Sequence, residues 1–281
     1  SSEGVVLGAD STSTMIADGL GNQYFDHQQK IFEIGVDSTL GLVMWGLGGI
    51  GEKSYRTMVA ELADEFQANP PVSLEEAAQR WSSKFWTEYT ATLGPQIARL
   101  KELSVLPSRT DDEDREMVAL SNLSGGFCLG GRVYANRKPE AYSVTYDPSW
   151  SDPKIEPLAY DVPQFWGVPN LLLRLFYGID EGVFGRIIGS GRWSGTPEEL
   201  FDLVKPGVIK VPGRLPIREA IDWVFSSIFI TIKAIKLSSS PPVCGGPIEI
   251  AVITSDRQFR WVKHKRLDEV LRQVITQGAT P

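Results

Sequence analysis

Residues 29–51 read QKIFEIGVDSTLGLVMWGLGGIG. Ile31, Glu33 and Gly35 alternate with Phe32 and Ile34, which predicts a short strand over Lys30 to Gly35. Leu40 to Trp45 is a second apolar run of strand length, and the glycines from Gly46 to Gly51 mark a tight turn after it. Then the period changes. Tyr55, Met58, Val59, Leu62 and Phe66 recur at helical spacing and line one face of a helix. Upstream, GVVLGAD (Gly4 to Asp10) predicts a buried strand that enters a turn at Ser11 to Thr14, and Gly19 to Asn22 reads as loop. The order is therefore strands first, then helix, with no strand–helix alternation.

Downstream, Asn69-Pro70-Pro71 stops the first helix. Ser73 with Glu76 three residues on is a capping box for a second, lined by Leu74, Ala77, Ala78, Trp81, Phe85 and Tyr89. It should run to about Leu93, where Pro95 breaks or kinks it. Residues 104–118, with the charge run DDEDRE, read as an exposed loop. Strands return at Gly125 to Gly131 and Glu140 to Tyr146, and residues 147–165, with four prolines, read as a long connection. A helix is expected over Pro169 to Ile179. Residues 185–215 form a Gly- and Pro-rich stretch with a short helix after Thr196. Ile221, Val224, Phe225, Ile228, Ile232 and Ile235 mark the strongest helix. Ile248 to Thr254 and Phe259 to Val262 predict a hairpin over Ser255 to Arg257. Runs of strands alternating with runs of helices disfavour a doubly wound parallel sheet and predict antiparallel sheet with helices on its outer faces.

Composition narrows the function classes. Hydrophobic residues make up 42% of the 281 and charged residues 22%, which excludes wholesale disorder, collagen-like chains and coiled coils. Lys and Arg number 28 against 35 Asp and Glu, a net charge of −7 with no basic stripe, so no nucleic-acid partner is expected. The most apolar window, Ala220 to Ile235, contains Asp222 and Lys233 and is too short to span a bilayer, so no membrane partner is expected. The opening SSEGVVLGAD lacks the pattern of a signal peptide and an initiating Met, so processing or further upstream residues are expected. Two cysteines, Cys128 and Cys244, do not make a disulfide framework and suggest a reducing, cytoplasmic compartment.

Three chemistries are disfavoured. GLGGIG at Gly46 to Gly51 satisfies a dinucleotide-binding pattern after a strand, but Asp64 and Glu65, where the ribose-binding acid should end a second strand, sit inside the first helix. The turn still leaves a helix start that could hold an oxyanion. His27 and His264 are the only histidines, are far apart in sequence, and neither cysteine has a partner at ligand spacing; no metal site and no cofactor is expected. No G-x-S-x-G elbow supports a Ser–His–Asp triad.

GVVLGADSTST, QKIFEIG and LGLVMWGLGG, in that order, resemble the opening of a proteasome β-type subunit, an N-terminal-nucleophile hydrolase. GGFCLGG…EAYSVTYDP is similar to that family's central hairpin, and CGGPIEIAVIT to its Gly-Gly strand near the C-terminus. The resemblance covers most of 1–146 and 217–263 and is loose over 147–215. It implies one α+β domain over 1–281, a four-layer αββα sandwich of two antiparallel sheets flanked by helices, with a divergent connection at 147–215. It implies a threonine-type peptidase acting through an acyl-enzyme on a peptide or small amide, in a homo-oligomer. By motif, Asp10 matches the orienting aspartate, Lys30 the charged lysine and Gly46 the oxyanion glycine, while Thr14 and Met44 match positions beside the scissile bond. Taken alone, Asp10 could instead cap the Ser/Thr turn, and Lys30 could be a solvated strand-end lysine.

The pattern also breaks. The family's nucleophile falls about seven residues before Ser1. Ser1 itself would sit at the far end of GVVLGAD, roughly 20 Å from Lys30 at about 3.3 Å per residue. A first strand preceding Ser1 is therefore expected, and without it GVVLGAD has an open edge. Before the C-terminal Gly-Gly, Pro241 and Cys244 stand near positions where the family carries an aspartate and a serine, and Val168 and Pro169 stand where a supporting serine is expected. Cys244 reads as a small buried residue in preference to an independent nucleophile. These departures leave two alternatives: a catalytically silent structural subunit of a ring or capsule, and a small-amide acylase.

Overall fold

The computed structural model describes residues 1–17, 21–133, 137–160, 162–205, 209 and 215–265. In chain order the first strands are β1 (Gly4–Ala9), β2 (Ser13–Ala17), β3 (Gly21–Phe25), β4 (Ile31–Glu33) and β5 (Leu40–Gly46). Helices α1 (Tyr55–Ala68), α2 (Leu74–Ser104) and α3 (Asp111–Ser121) follow, then β6 (Gly125–Gly131), β7 (Glu140–Tyr146) and β8 (Lys154–Pro157). The chain continues through α4 (Asn170–Tyr177), α5 (Glu181–Gly189), α6 (Pro197–Val204) and α7 (Ile217–Lys236) and closes on β9 (Glu249–Thr254) and β10 (Arg260–Lys263). It is a mixed α+β protein. Among the described residues, all strand pairing within its three sheets is antiparallel: β1-β9-β10, β2-β3 and β4-β5-β6-β7-β8.

Alternation along β5 decides how the layers stack. Leu40, Leu42 and Met44 point to one side, where they join Phe127, Leu129, Val144 and Tyr146 under α1 and α2. Trp81, Phe85 and Tyr89 of α2 supply the aromatic centre of that core, with Phe85 4.8 Å from Phe127 and 4.4 Å from Tyr146, centroid to centroid. Val43, Ile31 and Cys128 point to the other side and meet Leu7, Ala9, Ala251 and Ile253 of the three-stranded sheet. The far face of β1 carries α7. A Cβ on Gly8 would lie 2.2 Å from Val224 Cγ1, so the helix rests directly on that glycine.

β1 is bonded along one edge only, among the described residues. Ser255 N–H donates to the Glu3 carbonyl at 3.0 Å, which fixes the phase of the β1–β9 ladder. Val5, Leu7 and Ala9 therefore bond β9, and the backbone groups of Val6 and Gly8 face the open edge.

Four expectations are corrected. Residues 104–118 are not a loop: α3 fills most of that span, started by a capping box between Thr110 and Glu113 with four acidic residues in its first turn. The charge run is thus one helix start, and Arg99 ties it to α2 through Glu116 at 2.9 Å. α2 does not stop near Leu93 but runs through Pro95 to Ser104, held beyond the proline by burial of Ile97, Leu100 and Leu103. The 147–165 connection contains β8, paired to β7 from Tyr142↔Pro157 to Thr145↔Lys154. The 185–215 stretch begins inside α5, which Asp180 caps by accepting from Val183 N–H. The loop at 19–22 lies partly outside the described residues, and Gly21 and Asn22 already belong to β3. The other predicted strands and helices are present, with bounds shifted by a few residues.

Candidate functional site

A cleft of about 740 Å³ runs along the open edge of β1, between α7 on one side and the five-stranded sheet on the other. Asp10, Thr14, Lys30, Met44 and Gly46 all line it, so the structure brings the five sequence-derived positions into one cavity.

Asp10 and Lys30 form its polar end. Lys30 Nζ donates to Asp10 Oδ1 at 2.6 Å, and the two side chains are only 15% and 14% exposed. Asp10 Oδ2 accepts from Thr12 N–H at 3.1 Å and from Gly245 N–H at 3.0 Å. Asp10 thus caps the Ser/Thr turn and holds the lysine with separate oxygens. Lys30 is placed by β5: its carbonyl accepts from Met44 N–H at 3.0 Å. Gly46 has φ +81, and a Cβ there would fall 2.5 Å from Gly125 Cα and from the Ser124 carbonyl oxygen. Only glycine fits. Met44 is buried and Thr14 is exposed at the rim.

The Gly245–Gly246 turn closes the site from the β9 side. Its Gly245 carbonyl accepts from Ser11 N–H at 2.9 Å. Cys244, just before it, hydrogen-bonds Asp10. Burial first, then the Asp10 charge and that bond, push its thiol up to about 12, with Lys30 opposing. The raised value keeps the thiol protonated at neutral pH, which disfavours the independent-nucleophile reading, and Cys244 is half-buried in the cleft lining where a fully buried residue was expected.

Behind the turn lies a group that no sequence signal marked. Lys265, 8% exposed, donates to Glu249 Oε2 at 2.9 Å, to the Gln28 carbonyl at 2.8 Å and to Ser11 Oγ at 3.2 Å. Glu249 is fully buried, and its other oxygen lies 2.7 Å from His264 Nδ1. The end of β10 is thereby fastened to the segments that carry Asp10 and Lys30. These contacts join residues far apart in sequence, so spacing could not reveal them.

Trp45 and Trp166 form the apolar wall, stacked with ring centroids 4.5 Å apart and planes 11° apart. Ser1 lies at the opposite end of β1 from Asp10 and lines the same cleft. Among the described residues, no group of three or more His, Cys, Asp or Glu side chains is placed to hold a metal ion. No described helix is long and apolar enough to cross a membrane. No family model and no curated protein matches this chain.

Proposed function

We infer that this chain is a proteasome-like N-terminal-nucleophile amide hydrolase, a threonine-type peptidase that works through an acyl-enzyme. The observation that carries the reading is the Asp10–Lys30 pair at 2.6 Å, in one cleft with Gly46 and at the end of a strand edge that is unpaired among the described residues. The reading takes the domain as a four-layer αββα sandwich, with α1 and α2 outside one sheet and α7 outside the other. It places a nucleophile-bearing strand, preceding Ser1, along the open edge of β1 beside Val6 and Gly8.

The chemistry follows from the groups present. An α-amine titrates near neutrality and can take the proton of its own residue's hydroxyl. A lysine ammonium beside it disfavours the charged form of the amine and keeps it unprotonated, free to accept a proton at working pH. Asp10 holds that ammonium in place. The Gly46 N–H is the group assigned to the oxyanion of the tetrahedral intermediate, where a fixed backbone donor lowers the barrier. Thr14 and Met44 border the scissile bond. Homo-oligomeric assembly and a cytoplasmic site of action belong to the same reading.

One observation favours a catalytically silent ring or capsule subunit instead. The position expected to hold a supporting serine carries Cys244, a thiol bound to Asp10 and protonated up to about pH 12. Intact mass and N-terminal sequence of the natural mature protein, with and without a peptide epoxyketone, decide between the two. An N-terminal Thr, Ser or Cys that gains the inhibitor mass supports the hydrolase. A mature N-terminus without such a residue and without an adduct overturns it and leaves the silent subunit. Cleavage of acylated single amino acids without cleavage of peptides assigns the acylase.

A further inference from the structure

We propose that Tyr55 is a positioning residue whose phenol fixes which way the Leu47–Gly48 peptide faces, carbonyl to the core and N–H to the cleft. What this does to a reaction rests on the hydrolase reading; the hold itself rests on the geometry of the turn after β5.

The β5–β6 ladder sets the near end of that turn. Arg132 N–H donates to the Thr39 carbonyl at 3.0 Å, so by register Thr39, Gly41, Val43 and Trp45 bond the β6 side. The N–H groups of Met44 and Gly46 therefore face the other way, and Met44 uses its own on the Lys30 carbonyl at 3.0 Å. Gly46 is pressed against Gly125, and Ile50, buried at 2% exposure, anchors the far end. Leu47 leans its side chain on the α1–α2 core, but that does not fix the plane of the peptide after it. A Cβ on Gly48 or Gly49 would meet nothing within 4 Å, so neither packing nor a side chain keeps that plane from turning over.

Tyr55 supplies the hold. It is the first residue of α1, and its Oη donates to the Leu47 carbonyl at 2.8 Å. Its ring is buried and meets Phe127 edge-on at 5.4 Å, so packing in the core, and not the turn, places the hydroxyl. Burial pushes the phenol above its ordinary value, and it donates as a neutral hydroxyl. The Leu47–Gly48 peptide is trans, so its N–H and C=O point in opposite directions. With the carbonyl drawn to the core, the Gly48 N–H points away from it, and Gly48 lines the cleft together with Gly46. Turned over, the same peptide would bring a carbonyl to the cleft wall, a partial negative charge near the place where the oxyanion develops.

The test compares the whole protein with Tyr55→Phe, which keeps the ring and loses only the hydroxyl, and with Val59→Ala, which trims the same core one helical turn on. Amide resonances of Gly46 and Gly48 are read from 15N-glycine-labelled protein, with Gly48→Ala to assign them, and turnover of fluorogenic peptides is measured in parallel. Tyr55→Phe should shift the Gly48 amide, and Val59→Ala should leave it in place. In turnover, Tyr55→Phe should lower kcat by about tenfold to a hundredfold with KM within about twofold, while Val59→Ala keeps kcat within about twofold. A Gly48 amide that moves only in Tyr55→Phe, in a parent that cleaves no peptide and takes no epoxyketone, sustains the hold and counts against the hydrolase. A Gly48 amide that stays in place in Tyr55→Phe overturns the proposal. A parent that cleaves peptides, with kcat unchanged in Tyr55→Phe, overturns it and leaves the hydrolase standing. Equal effects of Tyr55→Phe and Val59→Ala on the amide and on kcat assign the change to weakened packing and overturn the role given to the phenol.

Discussion

Asp10 and Lys30 stand twenty residues apart in sequence and meet at 2.6 Å, each with most of its side chain withdrawn from water. Lys30→Met removes the cation and leaves a nearly buried carboxylate with two backbone donors and the Cys244 thiol. Stability is expected to fall by about 3 kcal/mol, as for a broken buried pair. Asp10→Asn keeps an acceptor for Thr12 and Gly245 N–H and should cost less. On the hydrolase reading either change lowers activity by about 10²–10⁴-fold. The double variant should recover part of the stability and none of the activity; urea denaturation with parallel kinetics checks both.

Gly46 and Gly48 are two residues apart and differ in what surrounds them. Gly46→Ala meets a backbone at 2.5 Å from a φ of +81 and should lose about 1–3 kcal/mol or more, along with the position of the N–H assigned to the oxyanion. Gly48→Ala meets nothing within 4 Å and should be nearly neutral. Chemical denaturation of the two variants against the parent separates backbone strain from loss of glycine as such.

Cys128 and Cys244 are both pushed up to about 12, in each case first by burial, from an ordinary value of 9.0. A thiol that ionises later in the folded state than in the unfolded one favours folding below its unfolded value. That contribution is lost as pH rises from about 9 through about 12. The parent protein should therefore lose stability between pH 9 and 11, and Cys244→Ser should flatten part of that slope. Iodoacetamide at pH 8 should leave Cys244 largely unmodified in the native protein.

Lys265→Met strips Glu249 of its ammonium and leaves a fully buried carboxylate facing only His264. A loss of about 3–5 kcal/mol is expected. Lys265→Met combined with Glu249→Gln should recover much of it, because the uncompensated charge is gone. Thermal and urea midpoints of the three variants test this coupling.

The elements legible in the sequence were those whose periodicity reports a single buried face. α1 and the first half of α2 each present one stripe to one core, and β5, buried on both faces, stood out as a continuous apolar run; their bounds were close. α3 was hidden for the opposite reason. It has no buried residue, so no apolar stripe announced it, and the Thr110–Glu113 box that starts it was outweighed by its charge. β8 is four residues of Lys, Ile, Glu and Pro, recruited by the edge of β7 and not by its own propensity. At the site, Asp10, Lys30 and Gly46 were reached through motif order. Their meeting in one cleft depends on strands paired across two sheets. Lys265 meets Glu249, and Trp166 meets Trp45, only in three dimensions, and no spacing rule reaches either pair.

α2 is continuous in geometry but divided in cooperativity. Pro95 donates no hydrogen bond at its own position and crowds the carbonyl of Ala91, so the helical ladder is interrupted there. Before it, Trp81, Phe85 and Tyr89 bind the helix to the five-stranded sheet. After it, residues 96–104 rest on Ile97, Leu100 and Leu103 and are tied to α3 through Arg99 and Glu116. The distal turns and α3 are therefore expected to open as a separate unit, with amides that exchange together and at a lower free energy than those of residues 74–90, which native-state hydrogen exchange checks. The helical end of the molecule can loosen while the cleft beneath β1 keeps its shape.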